Sequence, residues 1–171
     1  MAHRPSHIEH KEQGRAPVGC AVITVSDTRT EETDKSGQLI RERLREAGHH
    51  ITAYHIVKDD PTLIEALLND LLGRDDVEAL IFNGGTGVAR RDVTFDVVRR
   101  RLEKELSGFG ELFRTLSYEE IGSAAMLSRA VAGTVGTRVV FSVPGSSGAV
   151  RLALERLIVP EMGHIVYELR K

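Results

Sequence analysis

Residues 79–94, ALIFNGGTGVARRDVT, decide the fold. Ala79, Leu80, Ile81 and Phe82 form an apolar run with no polar alternation. Such a run suits a strand covered on both faces, as in a parallel sheet with helices above and below. The chain then turns through Asn83, Gly84, Gly85, Thr86 and Gly87. These glycines permit backbone angles that a Cβ forbids, and their bare amides can approach a ligand closely. A turn of this kind aims several N–H groups at one anion. Arg90, Arg91 and Asp92 follow, and Thr94 is placed to cap the next helix. Backbone donors, two cations and a carboxylate in one loop point to a phosphate site with an added metal or acid/base group. The competing reading is a tight strand-to-helix connection with solvated arginines and a helix-capping Asp92. A plain turn of that sort needs one glycine and none of this charge pattern.

Upstream, residues 19–25 (GCAVITV) read as a buried first strand. Ser26, Asp27, Thr28 and Arg29 leave its C-terminal end, where ligands collect in open α/β sheets. An ordinary capped loop explains them equally well. Ser36 is expected to open a helix that faces inward through Ile40, Leu44 and Ala47 and stops at Gly48. A second strand over residues 51–57 follows, with His49, His50 and His55 read as packing or surface residues. Asp60 before Pro61 is a helix N-terminal signature, which leaves Asp59 without a capping role. Asp59 ends one strand as Asp92 follows another, and two such carboxylates can share a Mg²⁺ bound to phosphate. The helix over residues 61–72 returns the chain to a third strand, residues 77–82. The β-α-β-α-β order and right-handed crossovers give a parallel layer with helices on its faces.

Downstream, Val97, Val98 and Leu102 mark an amphipathic helix with a solvated basic face at Arg99 to Arg101. Gly108, Phe109 and Gly110 are expected to break it before a helix over residues 111–121. Residues 123–129 are open between helix and loop, and residues 130–135 and 137–143 read as strands around Gly136. The last strand runs into Pro144, Gly145, Ser146, Ser147 and Gly148. This second strand–loop–helix junction is either an anion site or a Ser-capped helix start. Val150, Leu154, Leu157 and Ile158 face inward on the helix, Pro160 is expected to close it, and residues 164–169 to form a short edge strand.

The chain of 171 residues fits one domain over residues 18–171, preceded by a polar, disordered tail over residues 1–17 carrying His3, His7 and His10. A net charge of -2 and 5% aromatic residues argue against nucleic acid, which needs basic patches and stacking platforms. The single cysteine, Cys20, lies in an apolar run and reads as a buried, inert thiol. No stretch approaches the ~20 apolar residues that span a bilayer. The expectation is a cytoplasmic protein that uses no membrane.

Six ordered segments resemble the MoaB/MogA family of molybdenum cofactor biosynthesis proteins, which includes molybdopterin adenylyltransferase. They are VSDTR at residues 25–29, GGTGVARRDVT at 84–94, GFGELFR at 108–114, LSRAVAG at 127–133, PGSSGAV at 144–150 and PEMGH at 160–164. The resemblance implies a three-layer α/β/α sandwich with a mostly parallel, mixed sheet, as a single molybdopterin-binding domain. It implies that AMP passes from Mg-ATP to the terminal phosphate of molybdopterin, releasing pyrophosphate. Asp92 and Asp59 match the functional, Mg²⁺-associated aspartates of the adenylyltransferases. Ser26, Asp27, Gly84, Gly85, Thr86 and Gly87, with Arg90, Arg91 and Ser128, would line the nucleotide and pterin pocket. Pro144, Gly145, Ser146 and Ser147 would form the second phosphate-holding turn. Phe95 stands where adenylyltransferases commonly have proline, and PGSSG replaces a PG-Gln/Asn-Pro turn, in the style of the MoaB branch.

By the same resemblance the protein is a trimer or hexamer that works with other molybdenum cofactor biosynthesis proteins. The alternative function is a non-catalytic module that holds molybdopterin or its precursor. The charged Arg90–Arg91–Asp92 run favours the enzyme, since simple binding has no need of an acid among the cations. A nucleotide kinase is disfavoured because no Gly-Lys-Ser/Thr phosphate loop is present.

Overall fold

A computed structural model describes residues 16–171. The expected tail, with His3, His7 and His10, lies outside the described residues apart from Ala16 and Pro17. Strand β1 (Gly19–Val25) is followed by helix α1 (Lys35–Glu46), β2 (His50–Val57), α2 (Pro61–Leu72), β3 (Ala79–Asn83) and α3 (Thr94–Arg101). Next come β4 (Lys104–Glu105), α4 (Ser107–Ile121), a 3₁₀ segment (Gly122–Leu127), β5 (Val131–Val135) and β6 (Arg138–Val143). The chain ends with α5 (Ser147–Ala153), a π turn (Leu154–Ile158) and α6 (Val159–Leu169).

The six strands lie in the order β2-β1-β3-β6-β5-β4. Strands β2, β1, β3 and β6 are parallel, and β5 and β4 add an antiparallel edge. Successive side chains of a strand point to opposite faces, so the apolar runs feed two separate cores. Cys20, Val22, Ile81 and Phe141 pack with Ile40 and Leu44 of α1, Phe113 of α4 and Val150, Ile158 and Met162 near the C-terminus. On the other face, Ala21, Ile23, Leu80 and Phe82 pack with Ile64, Leu68 and Leu71 of α2 and Val97 and Val98 of α3. The result is the expected three-layer sandwich with a mostly parallel, mixed sheet. The uninterrupted runs of β1 and β3 are what a sheet buried on both sides requires. Burial raises the Cys20 thiol pKa to about 12, in keeping with an inert core thiol.

Three local expectations are corrected. Residues 164–169 form no edge strand but the end of α6, because Met162 and Val166 are buried at helical spacing against the first core. Pro160 does not close the preceding helix. It sits in the first turn of α6, just after the π turn, where the Val159 N–H already bonds back five residues to the Leu154 carbonyl. Gly108 to Gly110 lie inside α4, since Gly110 lets the helix press on β5: a Cβ there would come 2.7 Å from the Ala130 carbonyl oxygen. Packing outweighs the weak helix propensity of glycine.

The helix starts also shift. Asp34, not Ser36, caps α1 by accepting from the Gly37 N–H at 3.0 Å. Val93 occupies the N-cap of α3, and Thr94 is its buried first residue. Asp60 caps α2 as expected, accepting from Thr62 and Leu63.

Phe82 is fully buried in the second core, one residue from the glycine loop. Phe82→Ala is expected to cost about 3–5 kcal/mol of stability. Urea unfolding measures this, and a loss below about 1 kcal/mol would mean that the core closes around the cavity.

Candidate functional site

Strand β1 leads through α1 to β2 on one side of it, whereas β3 and β6 lie on its other side. The chain order therefore reverses beside β1, and a crevice opens beyond the strand C-termini at such a switch point. The loops after β1, β2, β3 and β6 all open onto this end of the sheet.

The glycine loop leaves β3 with Gly84 at φ 100° and Gly85 at φ 61°, angles at which a side chain is strained. A Cβ on Gly84 would collide with the Val25 carbonyl, and one on Gly85 would fall between Thr94 Oγ1 and the Asp59 carboxylate. The Gly84 N–H donates to Val143 O at 3.1 Å, tying the loop to the end of β6. Gly145 packs directly on it, with a Cβ there only 3.0 Å from Gly84 Cα. The two turns singled out from sequence thus touch.

Asp92 Oδ2 accepts from the Ala89 N–H at 2.9 Å, and Asp92 N donates to Ala89 O at 3.0 Å. The carboxylate therefore braces its own loop and remains half-exposed. Asp59 reaches across from the β2 loop, and its Oδ1 accepts from the Val93 N–H at 3.4 Å. Asp27 completes the group by accepting from the Asp59 N–H at 3.2 Å. Burial pushes the Asp59 carboxyl above the usual aspartate range. The Val93 N–H pulls it back, and the charges of Asp92 and Asp27 push it up again. The pairing of Asp59 with the Asp92 loop, open on spacing alone, is made by β2 and β3 flanking β1.

Other predicted residues have more local roles. Ser26 Oγ accepts from the Thr28 and Arg29 N–H groups and shapes the β1 loop. Ser146 caps α5 by accepting from Ala149 N at 3.3 Å, and Ser147 is exposed at the first helical position. Ser128, Pro144 and Ser146 line a cavity of about 140 Å³ with Ser117 and Gly148. Arg90 and Asp92 line a separate cleft of about 340 Å³ with Val88, Asp96 and Arg129. Thr86 is buried, and Arg91 is exposed.

Sequence reasoning missed a buried polar cluster beneath these loops. Thr24 and Tyr54 hydroxyls each donate to Asp34 Oδ2 at 2.6 Å. Ser36 Oγ bonds to Asn83 Oδ1 at 2.7 Å, and Asn83 Nδ2 donates to Thr24 Oγ1 at 2.9 Å. Arg29 donates to Asp34 at 3.4 Å, to Ser36 Oγ and to the Gly145 carbonyl at 3.2 Å. Burial alone would raise the Asp34 carboxyl, but the bonds from Thr24, Tyr54, Gly37 and Ser36 prevail and hold it below the ordinary range. The available signal was polar Thr24 and Asn83 at the ends of otherwise apolar strands.

The family model described as "Probable molybdopterin binding domain" matches residues 21–164. A molybdenum cofactor biosynthesis protein B from Bacillus cereus is 58% identical over 164 residues, covering 95% of this chain and 97% of that protein. The chain belongs to the molybdenum cofactor biosynthesis protein B family. A crystal structure of a protein of that name superposes with a TM-score of 0.89 at 58% identity, covering 91% of this chain and 98% of the other. The tungsten cofactor synthesizing protein MoaB from Pyrococcus furiosus superposes with a TM-score of 0.77 at 43% identity, covering 91% and 98%. The family match contains both glycine-bearing turns, Asp27, Asp59 and Asp92.

Within this candidate site Asp59 carries a cost, because burial raises its native pKa. Its ionised form destabilises the fold above the unfolded aspartate pKa of about 3.9, and the penalty disappears once the group is protonated in both states. Asp59→Asn is therefore expected to raise Tm at pH 7 and to leave it unchanged below about pH 4. Thermal scans at the two pH values test this; a lower Tm at pH 7 would show that the Val93 hydrogen bond outweighs the repulsion.

Proposed function

We propose that the chain binds molybdopterin and transfers AMP from Mg-ATP to its terminal phosphate. One observation carries this: the glycine loop, the Pro144–Ser147 turn and Asp59 with Asp92 all gather at one end of the sheet. A terminal phosphate oxygen of molybdopterin attacks the α-phosphorus of ATP, the bond from that phosphorus to the bridging oxygen breaks, and pyrophosphate leaves. The step crowds negative charge, so the residues must position and neutralise rather than supply a nucleophile. Amides of residues 85–88 and the side chains of Arg90 and Arg91 meet that charge. Ser146 and Ser147 hold a phosphate at the second turn, and Ser26, Asp27 and Ser128 border the pocket.

Among the described residues, no group of three or more His, Cys, Asp or Glu side chains is arranged to hold a metal ion. Asp59 and Asp92 would instead hold a phosphate-bound Mg²⁺ between them. The missing Cβ of Gly85 keeps space open at the Asp59 carboxylate. Bound there, the ion supplies charge neutralisation for the phosphates.

The protein acts as a homo-oligomer, trimer or hexamer, alongside other molybdenum cofactor biosynthesis proteins. Exposed Leu112, Tyr118, Ile121, Met126 and Leu127 support self-association, and Tyr118 and Met126 flank an apolar hollow of about 570 Å³. No helix among the described residues is long and apolar enough to cross a membrane.

Incubation with molybdopterin and Mg-ATP, followed by chromatography, is expected to show the adenylylated pterin and pyrophosphate. Asp92→Asn is expected to lower that turnover at least about 100-fold with the fold intact. Full activity in the variant removes Asp92 from the chemistry. Pterin binding without pyrophosphate release in the unaltered chain would favour a non-catalytic carrier.

A further inference from the structure

The glycine loop is gripped by a single arginine side chain. Arg129, between the 3₁₀ segment and β5, donates from Nε to Thr86 O and Gly87 O, both at 3.1 Å. Its Nη2 donates to Gly87 O at 2.7 Å and to Asp92 O at 2.9 Å. Its Nη1 pairs with Asp96 Oδ2 at 3.0 Å, and the guanidinium lies over the Phe95 ring, 4.9 Å from its centroid. Every nitrogen of the fork is thus committed to the loop or to the first turn of α3.

These contacts sort the loop's polar groups. The carbonyls of Gly85, Thr86, Gly87, Ala89 and Asp92 are all taken up, by Thr94 N, Asp92 N and Arg129. The N–H groups of Gly85, Thr86, Gly87 and Val88 donate to no acceptor among the described residues. A loop whose carbonyls are drawn to one cation leaves its amides for an anion. A planar guanidinium can bind several carbonyls at once, which a lysine ammonium on a flexible stem does not reproduce.

We propose that Arg129 is a positioning residue: it draws the carbonyls of residues 86, 87 and 92 to its own guanidinium, and so leaves the amide cradle and Asp92 set for the ligand. Phe95 is part of the device, because its ring supports the guanidinium at the start of α3. This inference rests on the phosphate-ligand role assigned to the loop above. Arg129 itself touches no reacting atom, since its donors are spent on the protein.

The test compares the full chain with Arg129→Ala and Arg129→Lys by amide hydrogen exchange and by calorimetric titration with Mg-ATP. Exchange at the hydrogen-bonded amides of Ala89, Asp92, Val93 and Thr94 is expected to quicken at least tenfold in Arg129→Ala, while β1 is unchanged. Affinity for Mg-ATP is expected to fall at least tenfold, with Arg129→Lys intermediate in both. If Arg129→Ala does not fold, Arg129→Lys carries the comparison alone. Unchanged exchange at the amides of Ala89, Asp92, Val93 and Thr94 overturns the proposal. So does faster exchange with unchanged Mg-ATP affinity, which would make Arg129 a purely structural clamp. If the unaltered chain binds no Mg-ATP, the adenylyl-transfer function fails, and the same titration with inorganic pyrophosphate decides for or against the orienting role: a loss of affinity of at least about tenfold in Arg129→Ala supports it, and unchanged or absent binding overturns it.

Discussion

The site depends on two backbones being able to touch. Gly84 lies against the Val25 carbonyl on one side and against Gly145 on the other, and its N–H is bonded to Val143. Neither contact leaves room for a side chain. A larger residue at 84 would separate the β3 loop from both β1 and β6, and with it the two turns that meet there. Because the positive φ of Gly84 is strained for any L residue, the same position sets the direction in which the loop leaves the sheet.

Beneath that contact lies a layer of polar side chains that a parallel sheet would ordinarily exclude. Asp34, Thr24, Ser36 and Asn83 are all buried. Burying a carboxylate costs several kcal/mol unless hydrogen bonds replace its water. Here four uncharged donors and the Arg29 guanidinium do so, and Arg29 also carries the cluster outward to the Gly145 carbonyl. The start of α1, the ends of β1 and β3 and the Pro144 turn are therefore held by one connected set of bonds. Such networks specify a single arrangement, because a half-satisfied version would be worse than none. Above this layer the balance changes: burial raises the Asp59 carboxyl, the Val93 N–H draws it back, and the charges of Asp92 and Asp27 raise it again.

Both arginine clasps bind carbonyls rather than carboxylates alone. Arg29 holds the turn after β6, and Arg129 holds the loop after β3. Fork-shaped donors suit this task, since irregular loops expose carbonyls that no ladder satisfies. Arg90 and Arg91, by contrast, stay exposed.

The apolar runs of β1 and β3, the Asp60–Pro61 helix start and the glycine-rich turns determined the layered α/β fold and pointed to Asp92 and the Gly84 loop from sequence alone. These are local signals: burial on both faces, a cap and a forbidden Cβ each leave a mark within a few residues. The C-terminal segment is a helix where a strand was expected, although Val159, Met162, Val166 and Leu169 already carry a helical period in the sequence; the core they pack on confirms that period over the short β-rich run at its end. Tertiary structure alone decided that Asp59 joins Asp27 and Asp92, that Asp34 sits buried among four uncharged donors and Arg29, and that Arg129 grips a loop about forty residues away in sequence. Those pairings depend on which strands become neighbours. Strand order is set by the summed burial of the whole sheet, so no short stretch of sequence records it.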